Sequence, residues 1–252
     1  MVNLQKILRK GKAMYLAYDQ GMEHGPEEFT DANVDPLSII DLAQKGGYTG
    51  MIFQKGIAEK YTLEIKKSKI PLIIKLNGKT SLPDGEPVSR QLCSVKEAKK
   101  LGAVAVGYTI YLGSAYESIM LQEFERIVDE AHAFHIPVIA WIYPRGKAVK
   151  KKTSGELMVY AARVGLEIGA DMVKLKYSGN VKDLKWAIAA AGRTKVVIAG
   201  GVKTSERTFL KEAKDVMKAG ATGLAIGRNA WQHKHPLKIS KEVKKIIFGK
   251  IH

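Results

Sequence analysis

Eight short apolar runs recur along this chain of 252 residues, and more strongly charged stretches separate them. The runs end at Asp19, Lys55, Asn77, Tyr111, Tyr143, Tyr177, Gly201 and Gly227. Near-continuous apolar runs are typical of strands that are buried on both faces, as in a parallel sheet. The pattern therefore predicts eight parallel strands joined by crossover connections.

Helical patterns fill most of the intervals between these predicted strands. We predict helices over residues 36–45, 94–101, 116–134, 154–168, 182–191, 205–218 and 236–247. Gly102, Gly169 and Gly220 stand where three of them should stop, which is the usual C-terminal glycine signal. Eight strands that alternate with seven predicted helices in about 250 residues favour an α/β fold of the (β/α)₈ TIM-barrel type. An open doubly wound sheet is the alternative, but no GxGxxG motif follows the first strand.

The chain is predicted to form a single domain over residues 1–252, with a short leading helix in MVNLQKILRKGK. Hydrophobic residues make up 46% of the chain, enough for one large core. That leading segment lacks the apolar centre of a signal peptide, and no apolar run reaches the roughly 18 residues of a membrane span. The single cysteine, Cys93, excludes a disulfide within the chain. We therefore expect a cytoplasmic protein that has no membrane partner.

The formal net charge of +16 has two interpretations. A basic patch could bind nucleic acid, or the lysines could form a solvated surface around a cleft for an anionic substrate. The only dense run is Lys147 with Lys150, Lys151 and Lys152, and no aromatic residues are interleaved with it. The pattern favours the solvated surface, so no nucleic-acid partner is expected.

The sixth predicted strand, ADMVKLKY, carries Lys174 and Lys176 in an otherwise apolar sequence. Side chains alternate along a strand, so both lysines face the same way. Inside a barrel, burial and the like charge of the other lysine would lower each pKa toward the neutral amine that attacks carbonyls. The alternative is that both point outward and extend their ammonium groups to water. Periodicity does not decide between Lys174 and Lys176 as the nucleophile.

The first and fifth predicted strands also end in polar side chains, where the chemistry of a barrel is found. Trp141 and Tyr143 share a face, and Tyr143 could exchange protons with a substrate or simply pack in the core. Arg145 follows and could hold a phosphate or an acidic side chain. Asp19 ends the first strand, and its carboxylate could act as a base, form an ion pair with a lysine, or cap a helix or loop. Glu23 and His24 lie in the next loop.

No pair of histidines has the spacing and the neighbouring carboxylates of a metal site, so no metal is expected. His24 is interpreted as a hydrogen-bonding residue. Three glycines after the last two strands, Gly200, Gly201 and Gly227, leave backbone N–H groups free to approach an anion. Loops at this place are the usual phosphate site of a barrel, and Arg228 adds a suitable positive charge.

Taken together, AYDQGMEHGP, WIYPRGK, GADMVKLKYSG, IAGGVKTS and AIGRNAW resemble the archaeal-type class I fructose-bisphosphate aldolases, in order over nearly the whole chain. These are barrel enzymes of the DhnA-like and DeoC/LacD-like superfamily that cleave fructose 1,6-bisphosphate reversibly without a metal cofactor. The resemblance implies that Lys174 forms the Schiff base, with Lys176 keeping its amine neutral. Tyr143 and Asp19 take the other catalytic positions. Substrate-binding positions fall on Trp141, His24, Lys176, Arg145, Gly200, Gly201, Gly227 and Arg228.

The resemblance leaves two alternatives and one departure. A sister group, the 2-amino-3,7-dideoxy-D-threo-hept-6-ulosonate synthases, uses the same lysine, and Trp141 argues modestly against it. A non-catalytic basic binding protein is the remote alternative. Family members commonly read Asp-His-Gly where this chain has Asp19-Gln20-Gly21, and alternation predicts that Gln20 faces the barrel wall. The resemblance also implies a homo-oligomer.

Overall fold

A computed structural model describes residues 2–249, and in it eight parallel strands close into a barrel. Each strand pairs with its neighbours in chain order, and the last returns to the first with Ala13 opposite Gly223. The strands are β1 Ala13–Ala17, β2 Gly50–Gln54, β3 Leu72–Lys75, β4 Ala103–Ile110, β5 Val138–Ile142, β6 Met172–Lys176, β7 Lys195–Ala199 and β8 Gly223–Ile226. The predicted (β/α)₈ barrel is confirmed.

Nine helices of more than one turn surround the barrel in residues 2–249. They are α1 Pro36–Gly46, α2 Lys55–Lys60, α3 Thr62–Ser68, α4 Val95–Lys100, α5 Glu117–Ala133, α6 Ser154–Glu167, α7 Val181–Ala190, α8 Glu206–Lys218 and α9 Pro236–Phe248. None of these is long and apolar enough to cross a membrane. Gly102, Gly169 and Gly220 all have positive φ and follow α4, α6 and α8, as predicted.

Helices α2 and α3 were not predicted from the sequence. The first begins at Lys55, directly after β2, so no loop residues mark its start. The second ends at Ser68 and is followed by Lys69, which adopts a left-handed φ of 58° where a glycine usually signals the end of a helix. The leading segment forms a single 3₁₀ turn, Leu4–Ile7, and its Ile7 is buried in the barrel interior.

The barrel interior is a layer of side chains separate from the larger core between strands and helices. Its members include Tyr15, Trp141, Met172 and Val197. Space for the Trp141 indole comes from Gly107 on β4, because a Cβ there would lie 1.2 Å from an indole carbon. The interior is therefore shaped around one large aromatic side chain beneath the carboxyl ends of the strands.

Candidate active site

A cavity of about 400 Å³ opens at the carboxyl ends of the barrel strands. Chemistry in (β/α)₈ barrels is located at this end. All of the predicted site residues line it, namely Asp19, His24, Trp141, Tyr143, Arg145, Lys174, Lys176, Gly200, Gly201, Gly227 and Arg228. The cavity thus brings together residues from β1, β5, β6, β7 and β8 and the loops that follow them.

Lys174 lies on the inner wall of β6 with only 5% of its surface exposed. Its Nζ lies 5.0 Å from the centre of the Trp141 ring. Burial lowers the pKa of this amine to about 8, the charge of Lys75 acts in the same direction, and Asp19 and Glu23 oppose the shift. An amine with such a pKa is partly neutral near pH 7 and can attack a carbonyl.

Lys176 faces the same cavity as Lys174, so the predicted alternation is correct. Its side chain is exposed at the mouth, however, because two residues further along a strand carry it roughly 6.6 Å outward. This exposed position gives no support to the expected role of Lys176 in keeping Lys174 neutral. The lysine whose charge lowers the pKa of Lys174 is Lys75.

Lys75, the last residue of β3, was missed in the sequence analysis. It is buried, lines the cavity, and its Nζ lies 3.6 Å from Asp19 Oδ2 and 3.9 Å from Glu23 Oε2. The signal was present in IPLIIKLN, since a lysine inside an apolar strand is the same pattern that identified Lys174. Glu23, in the loop after β1, also lines the cavity.

Asp19 is buried beside the two lysines. Burial raises the pKa of its carboxyl, but the charges of Lys174 and Lys75 and a backbone hydrogen bond lower it, and the net pKa lies below its usual value. The carboxyl is therefore ionised at neutral pH. Among its expected roles, the ion-pair partner of a lysine agrees with this position.

Tyr143 is partly buried above β5. Burial raises the pKa of its hydroxyl well above the usual value, and the charges of Asp19 and Glu23 add to the effect. The side chain is consequently a phenol at neutral pH and can donate a proton. Tyr143 lines the cavity and also packs against the core, so both of its expected roles stay predictions.

Arg145 binds an acidic side chain, one of its two predicted partners. Its Nη1 lies 2.8 Å from Glu23 Oε1, and its guanidinium lies over the rings of Tyr111 and Tyr143 at 5.2 and 5.9 Å. The Tyr111 hydroxyl donates to the same Glu23 oxygen at 2.8 Å. Arg145 and Tyr111 thereby fix Glu23 at the edge of the cavity.

The glycine backbone after β7 and β8 forms the opposite wall. The N–H of Gly200 donates to the Ala225 carbonyl at 2.8 Å, so the expectation that it is free for an anion is wrong. Asn229 Nδ2 also donates to the Gly200 carbonyl at 2.7 Å. Gly201 has a φ of +69° and open space where a side chain would stand. It borders the cavity with unobstructed backbone, which suits a bulky anion.

Arg228 and His24 meet at one carboxylate. Arg228 Nη1 lies 2.6 Å from Glu28 Oε1, and His24 Nδ1 lies 3.8 Å from the same oxygen. Gln20 lines the cavity, so the prediction that it faces the barrel wall is wrong. Strand alternation does not apply to it, because β1 ends at Ala17 and Gln20 has helical backbone angles before a one-turn helix.

Metal ligands are not clustered in residues 2–249, where no three His, Cys, Asp or Glu side chains are grouped so as to hold an ion. The cavity instead concentrates amines, carboxylates and a phenol. These groups can form an imine with a carbonyl substrate and move protons around it.

Comparisons with known proteins identify the family. A model of the DeoC/LacD family aldolases matches residues 13–233. A class 1 fructose-bisphosphate aldolase of Thermoproteus tenax is 48% identical over 249 residues, covering 98% of this chain and 93% of that protein. A 2-amino-3,7-dideoxy-D-threo-hept-6-ulosonate synthase of Archaeoglobus fulgidus is 31% identical, covering 99% and 91%.

A solved structure of an archaeal fructose-1,6-bisphosphate aldolase, with its catalytic lysine bound to the carbinolamine intermediate of the substrate, superposes with a TM-score of 0.91. It is 46% identical and covers 98% of this chain and 97% of its own. The sequence motifs, the barrel and these matches agree, and the chain belongs to the DeoC/LacD family of aldolases.

Proposed function

We propose that the protein is a class I aldolase that reversibly cleaves fructose 1,6-bisphosphate into dihydroxyacetone phosphate and glyceraldehyde 3-phosphate. The observation that carries the proposal is the buried amine of Lys174, whose pKa is lowered to about 8 in a cavity lined with proton donors and acceptors. The 48% identity to a fructose-bisphosphate aldolase, against 31% to a heptulosonate synthase, supports the substrate.

In this mechanism the neutral amine of Lys174 attacks the C2 ketone and forms a carbinolamine. The Tyr143 phenol donates a proton to the carbinolamine hydroxyl, which leaves as water and produces an iminium ion. The Asp19 carboxylate stabilises the positive charge on the nitrogen. It acts through space, since Lys174 forms no salt bridge in residues 2–249.

Cleavage then follows from the same two side chains. The Tyr143 phenolate removes the proton of the C4 hydroxyl, the C3–C4 bond breaks, and its electron pair moves into the iminium to form an enamine. Glyceraldehyde 3-phosphate leaves. Tyr143 returns the proton to C3, and hydrolysis of the remaining iminium releases dihydroxyacetone phosphate and the free amine. The iminium is the electron sink, so the proposed reaction needs no metal cofactor.

The phosphate next to the ketone is proposed to bind against Gly201 and Gly227, with Arg228 as its positive charge. Both glycines border the cavity, and Gly200 shapes the turn. A fixed phosphate holds the ketone at Lys174 and removes translational and rotational freedom before the reaction. Trp141 packs beneath the amine, and Arg145 and Lys176 lie at the side where the far end of the sugar would project.

The experiment that tests the substrate is a direct comparison of two reactions. Purified enzyme is assayed for cleavage of fructose 1,6-bisphosphate and for synthesis of the heptulosonate, each with and without a chelator. We expect cleavage that the chelator leaves unchanged. Synthesis of the heptulosonate without cleavage of fructose 1,6-bisphosphate would contradict the proposed substrate and favour the sister activity. Loss of cleavage in the presence of the chelator would contradict the metal-free mechanism.

Two broader properties complete the proposal. We propose that the enzyme works in the cytoplasm, which agrees with its single cysteine, and that it is a homo-oligomer. Light scattering on the eluate of a sizing column should give a mass above the 27.7 kDa of one chain. Nucleic acid is not proposed as a partner; salt-sensitive binding of nucleic acid that survives Lys174→Ala would support the non-catalytic alternative.

A further inference from the structure

Lys75 is a buried lysine of the cavity that takes no part in the proposed reaction steps. It ends β3 with 4% of its surface exposed, and its ammonium points into the cavity. Lysine is almost never buried to this extent without a partner. Its carboxylate neighbours, Asp19 at 3.6 Å and Glu23 at 3.9 Å, both stand beyond ordinary hydrogen-bond distance.

The charges on this side of the cavity are matched in pairs if Lys174 is left out. Arg145 lies 2.8 Å from Glu23 and neutralises it. Lys75 is then the cation nearest to Asp19. Two carboxylates and two cations then balance, so the effect of Asp19 and Glu23, which favours a protonated Lys174, is opposed by the charge of Lys75.

We propose that Lys75 is a positioning residue of the aldolase reaction, which supplies the counter-charge of Asp19 and so leaves the Lys174 amine free to attack the substrate carbonyl. This inference rests on the proposed Schiff-base function. Lys75 needs no contact with the substrate to play this part, since it acts through Asp19 and through its repulsion of a proton on Lys174.

The electrostatics of the cavity agree with this geometry. Burial is the main reason that the pKa of Lys174 is low, and Lys75 is the neighbouring charge that lowers it further. Without Lys75, the negative charge of Asp19 would act on Lys174 alone and would favour its protonated form.

Other titratable groups also face this site. They are Glu23 after β1, Tyr143 and Arg145 after β5, and Lys176 on β6. His24 and Arg228 line the same cavity but contact Glu28 instead. Among the basic side chains of the described residues, only Lys75 has its nitrogen within 4.0 Å of an Asp19 carboxylate oxygen.

The test is the pH dependence of imine formation. Dihydroxyacetone phosphate is added to the enzyme, borohydride traps the imine, and intact mass gives the trapping rate between pH 6 and pH 10. The midpoint is the pH at which the trapping rate reaches half of its maximum. In Lys75→Met we expect this midpoint to rise by about one pH unit, so that trapping at pH 7 is about tenfold slower. Lys75→Arg keeps the charge and should retain most of the wild-type profile.

A matched control removes a lysine from the exposed surface of α7. Lys185→Met loses the same charge far from the cavity and should keep the wild-type profile. If Lys75→Met does not fold, Lys75→Gln, which removes the charge but keeps a polar end group, takes its place. The midpoint of its trapping rate should rise in the same way.

Two results would overturn the inference. One is a wild-type midpoint in folded Lys75→Met. The other is an increase in KM with an unchanged pH profile, which would make Lys75 a substrate-binding residue. Both results differ from failure of the proposed function. If the proposed function is wrong, the wild-type enzyme itself forms no adduct.

Discussion

The wall of the cavity formed by β3, β5, β6 and the segment after β1 is built from charged and aromatic side chains, whereas the wall formed by β7 and β8 is built from glycine backbone. On the first wall, Lys174, Lys75 and Asp19 are buried, and their charges change one another's pKa values. On the second, Gly201 leaves open space, and Arg228 is already paired with Glu28. The reactivity of Lys174 on the first wall depends on the burial of charged groups, whereas binding of an anion on the second wall depends on open space beside the backbone.

The difference predicts two kinds of defect. Changes to the buried side chains of the first wall should lower kcat, since these groups act on the reacting atoms or on the charge of Lys174. Changes on the glycine wall should chiefly raise KM, since that wall holds a part of the substrate that does not react. The following variants separate the two, from the largest expected effect to the smallest.

Lys174→Met should remove activity almost completely. The nucleophile is lost, so we expect kcat to fall about 10⁴-fold or more and the borohydride adduct to disappear. Stability should not fall, because a buried charge is replaced by an apolar side chain of similar length. Thermal unfolding of the same sample checks this. Substantial residual cleavage would show that another amine can act as the nucleophile, and would contradict the assignment of the reaction to the first wall.

Tyr143→Phe removes the proton donor but keeps the ring. We expect kcat to fall about 10²- to 10⁴-fold, the usual contribution of general acid–base catalysis. The adduct on Lys174 should still accumulate on longer incubation, because the nucleophile is intact. A variant with normal kcat would favour the interpretation of Tyr143 as a packing residue.

The pH dependence of borohydride trapping tests a smaller change on the same wall, the protonation of Lys174. The pKa of Lys174 is lowered to about 8, so the reactive neutral amine is the major form above that pH and the protonated amine below it. The trapping rate should therefore fall about tenfold for each pH unit below about 7 and level off above about 9. A rate that rises as the pH falls would contradict a neutral amine as the nucleophile.

Arg228→Met tests the glycine wall. Loss of a charged partner for the phosphate should raise KM for fructose 1,6-bisphosphate about tenfold or more, with little change in kcat. Arg207→Met, on the exposed surface of α8, removes the same charge outside the cavity and serves as the control. A fall in kcat at unchanged KM would place Arg228 with the reacting groups instead.

Lys176→Met should have the smallest effect. The side chain is exposed at the mouth, where solvent screens its charge, so we expect a change in KM of only a few-fold and no shift of the pH midpoint. Initial rates across the same pH range measure both. A lowered or raised midpoint would show that Lys176 does influence Lys174 after all.

The sequence predicts the barrel and the residues that line the cavity well. It does not predict how deeply each side chain is buried or which residues form hydrogen bonds and ion pairs. Period-two alternation correctly places Lys174 and Lys176 on one face, but it does not tell how far along the strand burial ends. A lysine inside an apolar strand also occurs at Lys75, but a single such lysine fits an outward orientation equally well, with its ammonium group extended to water.

Predictions also failed where the chain leaves a strand. Gln20 was assigned to the wall by an alternation that ends at Ala17. The N–H of Gly200 was expected to be free, and only the register of β7 against β8 shows that Ala225 accepts from it. Pairings such as Arg228 with Glu28 join residues 200 positions apart, and no local pattern in one sequence reveals them.

Borohydride trapping of the wild-type enzyme with dihydroxyacetone phosphate, followed by peptide mapping, tests the Schiff-base mechanism most directly. A single covalent adduct is expected, on the peptide that contains Lys174 and at that residue. An adduct only on Lys176 or only on Lys75 would reassign the nucleophile, and the absence of any adduct would contradict imine chemistry in this cavity.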